Sequence, residues 1–269
     1  MNARTAPIFC CILLAGCAHG RSSSSTVRVK VALAQTLSAR GQKEAAFEAA
    51  DAACREAPED GAARAIRGSL LSDRGLLDEA EADLKDAVRL RPELAEAHSA
   101  LAVLHERRQR PEDAEAEHRR AAELAPEDAR YLNNFGYALL LHGKTNQAVP
   151  LLMAAARLAP MSHRIRNNLG FAYARLSDYR RASHEFALGG TPAEAQNNLG
   201  FAYEHAGNTA QARAHYEEAL RLDAGLAAAR DNLHRVTGAP RPQENSTAGQ
   251  VIDQTSKVAG AALASGGHP

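Results

Sequence analysis

The chain of 269 residues has no tryptophan, and aromatic residues make up only 4% of it. A core of bulky rings is excluded, so the interior must be filled by small, closely packed side chains. Net charge is missing too: 32 Lys and Arg offset 32 Asp and Glu, interspersed along the chain. A protein that lives on phosphate contacts carries a basic patch or stripe, so no nucleic-acid partner is expected. Of the four cysteines, Cys10 and Cys11 fall in an N-terminal apolar run. Cys17 and Cys54 remain, and with Cys17 expected to be modified, Cys54 has no partner for an intrachain disulfide. There is no His-Glu-x-x-His, no Gly-x-Ser-x-Gly and no phosphate loop. His98 with His105, and His205 with His215, lack the four-residue spacing and third carboxylate of a helical metal site. The expectation is no enzyme, no cofactor and no metal.

What the chain has is Ala, Leu, Glu and Arg in abundance, all good helix formers, and one stretch that returns. Arg166-Asn167-Asn168-Leu169-Gly170-Phe171-Ala172-Tyr173 comes back as Gln196-Asn197-Asn198-Leu199-Gly200-Phe201-Ala202-Tyr203. A looser copy, Leu132-Asn133-Asn134-Phe135-Gly136-Tyr137-Ala138-Leu139, precedes both. Leu-Gly-x-x-Tyr, with a small Ala nine residues on and Pro twelve after that, resembles the tetratricopeptide repeat, a helical hairpin of about 34 residues. Each hairpin cannot bury its apolar face alone, so neighbours stack. The resemblance implies an all-α, right-handed superhelix of about six hairpins plus a C-terminal capping helix.

The units fall at 27–60, 61–94, 95–128, 129–162, 163–192 and 193–226, with a cap at 227–237, an array over 27–238. Pro111 fits the first position of a second helix, where a missing N–H costs little. The fifth unit has only thirty residues before the pattern restarts. Gly189-Gly190 ends its second helix early, and Thr191-Pro192-Ala193-Glu194 reads as a capping box opening the sixth. Residues 239–269, rich in Pro, Gly, Ser, Thr and Gln, are expected to be disordered.

The N-terminus reads as an address. Arg4 is followed by a short apolar run, Ile8 to Leu14, below the length of about 20 residues that spans a bilayer. Leu14-Ala15-Gly16-Cys17 then resembles a bacterial lipobox, which implies a signal peptide over 1–16 and a lipidated Cys17. Ala18 in place of Asp favours the outer membrane, periplasmic face, by the same resemblance. Residues 17–26 read as a Ser-rich flexible tether reaching about 15 Å. Cys54, in the second helix of the first unit, is expected to be a small packing residue.

In the tetratricopeptide family the first helices line a concave face, through positions 2, 5, 6, 9, 12 and 13 of each unit. Position 6 holds Asn134, Asn168, Asn198 and Asn232, and position 5 holds Asn133, Asn167 and Asn197. Such amides suit the backbone of an extended peptide, as in the asparagine ladder of the O-linked N-acetylglucosamine transferase family. They equally suit hydrogen bonds between neighbouring helices. Tyr137, Phe171 and Phe201 at position 9, which equally suit the core as an aromatic stripe at helical spacing, and Arg130 and Arg164 at position 2, complete the candidate groove. The carboxylate clamp of chaperone adaptors fits Arg130, Asn134 and Asn168, but Glu194 and Asn198 stand where it needs cations. A ligand chosen for a C-terminal carboxylate is therefore not expected.

Lipobox, tether and repeat array together resemble the assembly lipoproteins of tight-adherence and type IV pilus systems, which attend a secretin. The resemblance implies a non-enzymatic scaffold that binds an extended segment of a secretin or other envelope protein. A similar plan serves adaptors of peptidoglycan hydrolases, which is the alternative reading.

Overall fold

The computed structural model describes residues 16–238, with side chains from residue 25 onward. The apolar run before Gly16, the Cys17 side chain and the tail 239–269 lie outside the described residues. Among those described there are thirteen helices and no strand. In order they are α1 (Gly16–Ala39), α2 (Lys43–Glu56), α3 (Gly61–Asp73), α4 (Leu77–Leu90), α5 (Ala95–Arg107), α6 (Pro111–Leu124) and α7 (Ala129–Leu141). Then come α8 (Thr145–Leu158), α9 (His163–Arg175), α10 (Tyr179–Leu188), α11 (Pro192–His205), α12 (Thr209–Leu222) and α13 (Ala227–Thr237). Residues up to Arg108 and those from Gln109 form two compact units, and the division falls in the turn of the third repeat.

One expectation is corrected at once. Residues 17–26, read as an irregular tether, are the first turns of α1. Neither Pro nor Gly lies between Arg21 and Ala39, so nothing in the chain stops the helix from running backwards out of the first repeat.

Each hairpin turns through a residue in the left-handed region. At Gly41, Gly75, Gly143 and Gly207 φ lies between 74° and 80°, where a residue without Cβ meets no penalty. The same turns in repeats three and five use Gln109 (φ 57°) and Ser177 (φ 60°). Close packing inside the hairpin follows a second rule. An added Cβ at Gly68 or Gly136 would lie 2.8 Å from Leu84 or Leu152, and one at Gly170 2.5 Å from the Phe186 ring. At Gly200 it would lie 2.7 Å from Tyr216. Glycine at this position lets a large residue of the second helix seat against the first helix's backbone.

In the N-terminal unit the core is split into small, alanine-rich clusters, one of them Val27, Val31, Ala53, Cys54 and Ala63. Cys54 is the buried packing residue expected, and desolvation pushes its thiol up to about 11. Between these clusters runs an ion network. Buried Asp83 on α4 accepts from Arg67 Nε at 2.6 Å and Arg64 Nη1 at 3.1 Å, and Arg67 Nη1 also reaches Asp51 on α2 at 3.0 Å. In the C-terminal unit one continuous cluster extends from Ala122 through Leu152, Leu169 and Phe186 to Ala202. Helix α8 passes through Pro150 without interruption.

Candidate groove on the first helices

The short fifth repeat sets the local geometry. Helix α10 has 10 residues where α8 and α12 have 14. The carbonyl of its C-cap residue is held from the side: Asn167 Nδ2 donates to the Gly189 carbonyl at 3.0 Å. An added Cβ at Gly189 would fall 2.3 Å from Asn167 Oδ1, so glycine is required where the amide closes in. The capping box forms as expected. The Thr191 hydroxyl accepts from the Glu194 N–H at 3.3 Å, and the Glu194 carboxylate accepts from the Thr191 N–H at 2.8 Å.

The asparagines form a ladder whose rungs run between helices. Asn168 Nδ2 donates to Asn133 Oδ1 at 2.9 Å, Asn198 Nδ2 to Asn167 Oδ1 at 3.2 Å, and Asn232 Nδ2 to Asn197 Oδ1 at 2.8 Å. Position 6 of repeats five and six and of the cap is thus bonded to position 5 of the repeat before. The rung survives the short fifth repeat, where its partners are 31 residues apart instead of 35. These bonds meet the inter-helix role that Asn at this position also suits. Asn133 and Asn168 are fully buried, so that rung is shielded from water and worth more than an exposed one.

Some polar capacity is left over. Asn133 Nδ2 donates to Asn134 Oδ1 at 3.4 Å, and no described residue accepts from the Asn134 side-chain NH₂. Asn168 Oδ1 is buried with no donor. Arg130 is exposed and bound by Asp128, with Nη2 at 2.7 Å from Oδ2, and its guanidinium lies over the Tyr131 ring. That pairing holds the Asp128 carboxyl below its usual range. Arg164 is half-buried, and no described residue accepts a hydrogen bond from it. Desolvation, and the like charge of Arg130, pull its pKa down from the ordinary guanidinium value.

Phe171 and Phe201 make an edge-to-face row with ring centroids 5.8 Å apart, extended by Phe186 at 4.8 Å on one side and His205 at 4.3 Å on the other. Phe186 is buried, while Phe171, Phe201 and Tyr137 are half-buried. The row joins core to surface and presents an apolar rim beside the amides.

Several contacts escape a reading of the sequence. Tyr179, Tyr203 and His215 stack as a column of near-parallel rings, at 4.0 Å and 5.2 Å. Position 4 of four repeats reaches back six residues to a backbone carbonyl. Arg64 binds Pro58 O at 2.7 Å, His98 binds Pro92 O at 3.0 Å, and Arg166 binds Pro160 O at 2.9 Å. Arg230 binds Ala224 O at 3.0 Å. In the first three an Arg or His six residues after the repeat's Pro was the available signal, whereas Arg230 follows Ala224. Among the described residues there is no cluster of three or more metal-ligating side chains and no helix long and apolar enough to cross a membrane.

Two models of the tetratricopeptide repeat match the chain, one over residues 193–226 and the other over 31–93 and 67–129. No curated protein matches. Among solved structures, YrrB, described as a tetratricopeptide-repeat protein with an unusual peptide-binding site, is similar at 22% identity. The match covers 69% of this chain and 97% of that one, with a TM-score of 0.55. Pseudomonas aeruginosa pilF is similar at 18% identity over 78% of this chain and 97% of its own, TM-score 0.61. A chain of the Cut9–Hcn1 hetero-tetramer of the APC/C is similar at 20% identity and TM-score 0.60, over 78% of this chain and 42% of that chain. At these identities the likeness establishes the fold: consecutive hairpins of the tetratricopeptide-repeat type.

Proposed function

We propose that this tetratricopeptide-repeat protein is a non-enzymatic scaffold that holds an extended polypeptide segment on the first helices of repeats four to six. The observation that carries the reading is the half-buried row of Phe171 and Phe201 on the first helices of repeats five and six, with Asn134, whose side-chain NH₂ stacking leaves unfilled, on that of repeat four. Apolar rings and an unspent donor on successive first helices suit a segment whose backbone and side chains alternate along the face. The fold likeness to YrrB, whose own description includes a peptide-binding site, supports the same reading.

The finer proposal is an attachment to the bacterial outer membrane through lipid on Cys17, with a secretin or another envelope protein as partner. Its support is the Leu14-Ala15-Gly16-Cys17 sequence and the fold likeness to pilF over nearly the whole of that chain. Two acyl chains on one residue suffice for stable anchoring.

The test is site-specific photocrosslinking in cells, with the probe at Asn134 or Phe201 and, as a control, at exposed Arg221 on α12. An envelope protein captured from the first two sites and not the third supports the scaffold reading. Equal capture from Arg221 places binding elsewhere. Cys17→Ser should abolish incorporation of labelled palmitate and release the protein from outer-membrane fractions. Secretin multimers that persist after deletion of the gene would remove the pilus assignment and leave the scaffold.

A further inference from the structure

Arg130 and Asn134 stand four residues apart on α7, and Arg164 and Asn168 four apart on α9, so each pair shares a helix face. The buried bond from Asn168 to Asn133 ties the two helices together at that level. Arg130, Asn134 and Arg164, the three of these side chains that solvent reaches, therefore belong to adjacent rows of one surface. Arg130 is already neutralised by Asp128. Arg164 is not neutralised, and it is partly enclosed. Several other partly enclosed arginines have partners: Arg64 and Arg67 share Asp83, Arg108 has Asp78 and Glu81, Arg166 has Glu185, and Arg230 meets the Ala224 carbonyl. An enclosed guanidinium with no acceptor loses hydration and gains nothing in return. Its planar fork of five donors matches a carboxylate bidentately. The unfilled NH₂ of Asn134 adds a neutral donor on the neighbouring row.

Resting on the peptide-binding reading, we propose that repeats four and five take the side-chain carboxylate of an aspartate or glutamate within the bound segment, between Arg164 and Asn134. Arg164 lies in the middle repeat of the three that a carboxylate clamp would span, at a place the clamp does not use. In the next repeat Glu194 adds negative charge and Asn198 is spent on Asn167. A single internal carboxylate therefore fits, and the paired charges of a chain terminus do not.

The experiment is selection of a random linear 12-residue peptide library, blocked at both ends, on the full-length protein and on Arg164→Gln. Arg164 makes no bond within the described residues, so the variant should fold; an unchanged helical circular dichroism spectrum and unfolding midpoint check this. The expected result is enrichment of Asp or Glu at one position on the wild type, lost on Arg164→Gln and partly kept on Arg164→Lys. For a selected peptide, replacing the acid by its amide should weaken binding about tenfold or more, and Arg164→Gln should erase that difference. Peptides that bind without an acidic preference, or whose preference survives Arg164→Gln, overturn the carboxylate site while leaving the groove. Binding that requires a free C-terminal carboxylate also overturns it. Selection of no peptide at all overturns both the site and the groove.

Discussion

The Asn168 side chain donates to Asn133 Oδ1 at 2.9 Å, from the fifth repeat to the fourth, with both residues buried. This rung joins two stacked repeats away from solvent. Asn168→Ala strands the Asn133 oxygen in a dry interface and should cost about 1–3 kcal/mol. Changing both residues to Ala removes donor and acceptor together, so the double variant should lose less than the sum of the two Ala singles. Urea unfolding of the four proteins measures the coupling. Strict additivity would show that the rung contributes nothing beyond its parts.

Ser177 sits in the left-handed region, at the turn that four other repeats fill with glycine. A side chain there costs roughly 1–2 kcal/mol, and glycine's extra freedom in the unfolded chain returns about half of that. Ser177→Gly should therefore stabilise the protein by about 0.5–1 kcal/mol. The same substitution at Gln109 should act alike. A lower midpoint in thermal unfolding for both variants would contradict the strain argument.

What the sequence revealed and what it hid divide along a physical line. Features decided within a few residues of chain were legible: the hairpin spacing, the early stop at Gly189-Gly190, Pro111 opening α6, and the Thr191–Glu194 capping box. The adjacent asparagines were legible as a pattern too, but not the direction of their bonds. That depends on how far one hairpin is rotated on the next, which only stacking decides. Arg67 bridging Asp51 and Asp83 joins three helices and has no local spacing to announce it. The backward extension of α1 was hidden for a different reason. A Ser-rich stretch has neutral helix propensity, and the attached helix, not the stretch, determines its conformation.

Glu204 ties the capping helix to the sixth repeat. Its carboxylate accepts from Arg235 Nε at 2.7 Å on α13 and from the Tyr216 hydroxyl at 2.6 Å on α12. The Arg235 bond, followed by the Tyr216 bond, holds the Glu204 carboxyl below its usual 4.5, against the opposing effect of burial. Since the folded pKa is the lower one, the stabilisation is complete above about 4.5 and is lost as the pH falls through the folded value. Acidification below 4.5 should release α13 before the rest of the array, seen as faster amide exchange over Ala227–Thr237. In Glu204→Gln the exchange of α13 should already be fast at pH 7, with a smaller further response to acid. If α13 exchanges equally in both proteins at pH 7, its attachment rests on apolar contacts and the carboxylate is incidental.

Gly170 separates a steric requirement from a conformational one. It lies inside α9, where alanine would ordinarily stabilise a helix by about 1 kcal/mol. Yet an added Cβ would stand 2.5 Å from the ring of Phe186, which is fully buried and packed edge-on against Phe171. The ring cannot retreat without displacing Phe171, and through it Phe201, so overpacking should exceed the propensity gain. The net expected loss is about 1–3 kcal/mol. Phe186→Leu should restore only part of it, because the Leu that sits against Gly68 and Gly136 in other repeats would still stand 2.8 Å from an added Cβ. Thermal unfolding of the two single variants and the double gives the sign directly. The peptide-binding reading adds a second readout: Gly170→Ala should weaken capture at Phe201 even where the protein stays folded, since the exposed rim and the buried ring belong to one row. Capture that is untouched while stability falls would detach that rim from the binding face.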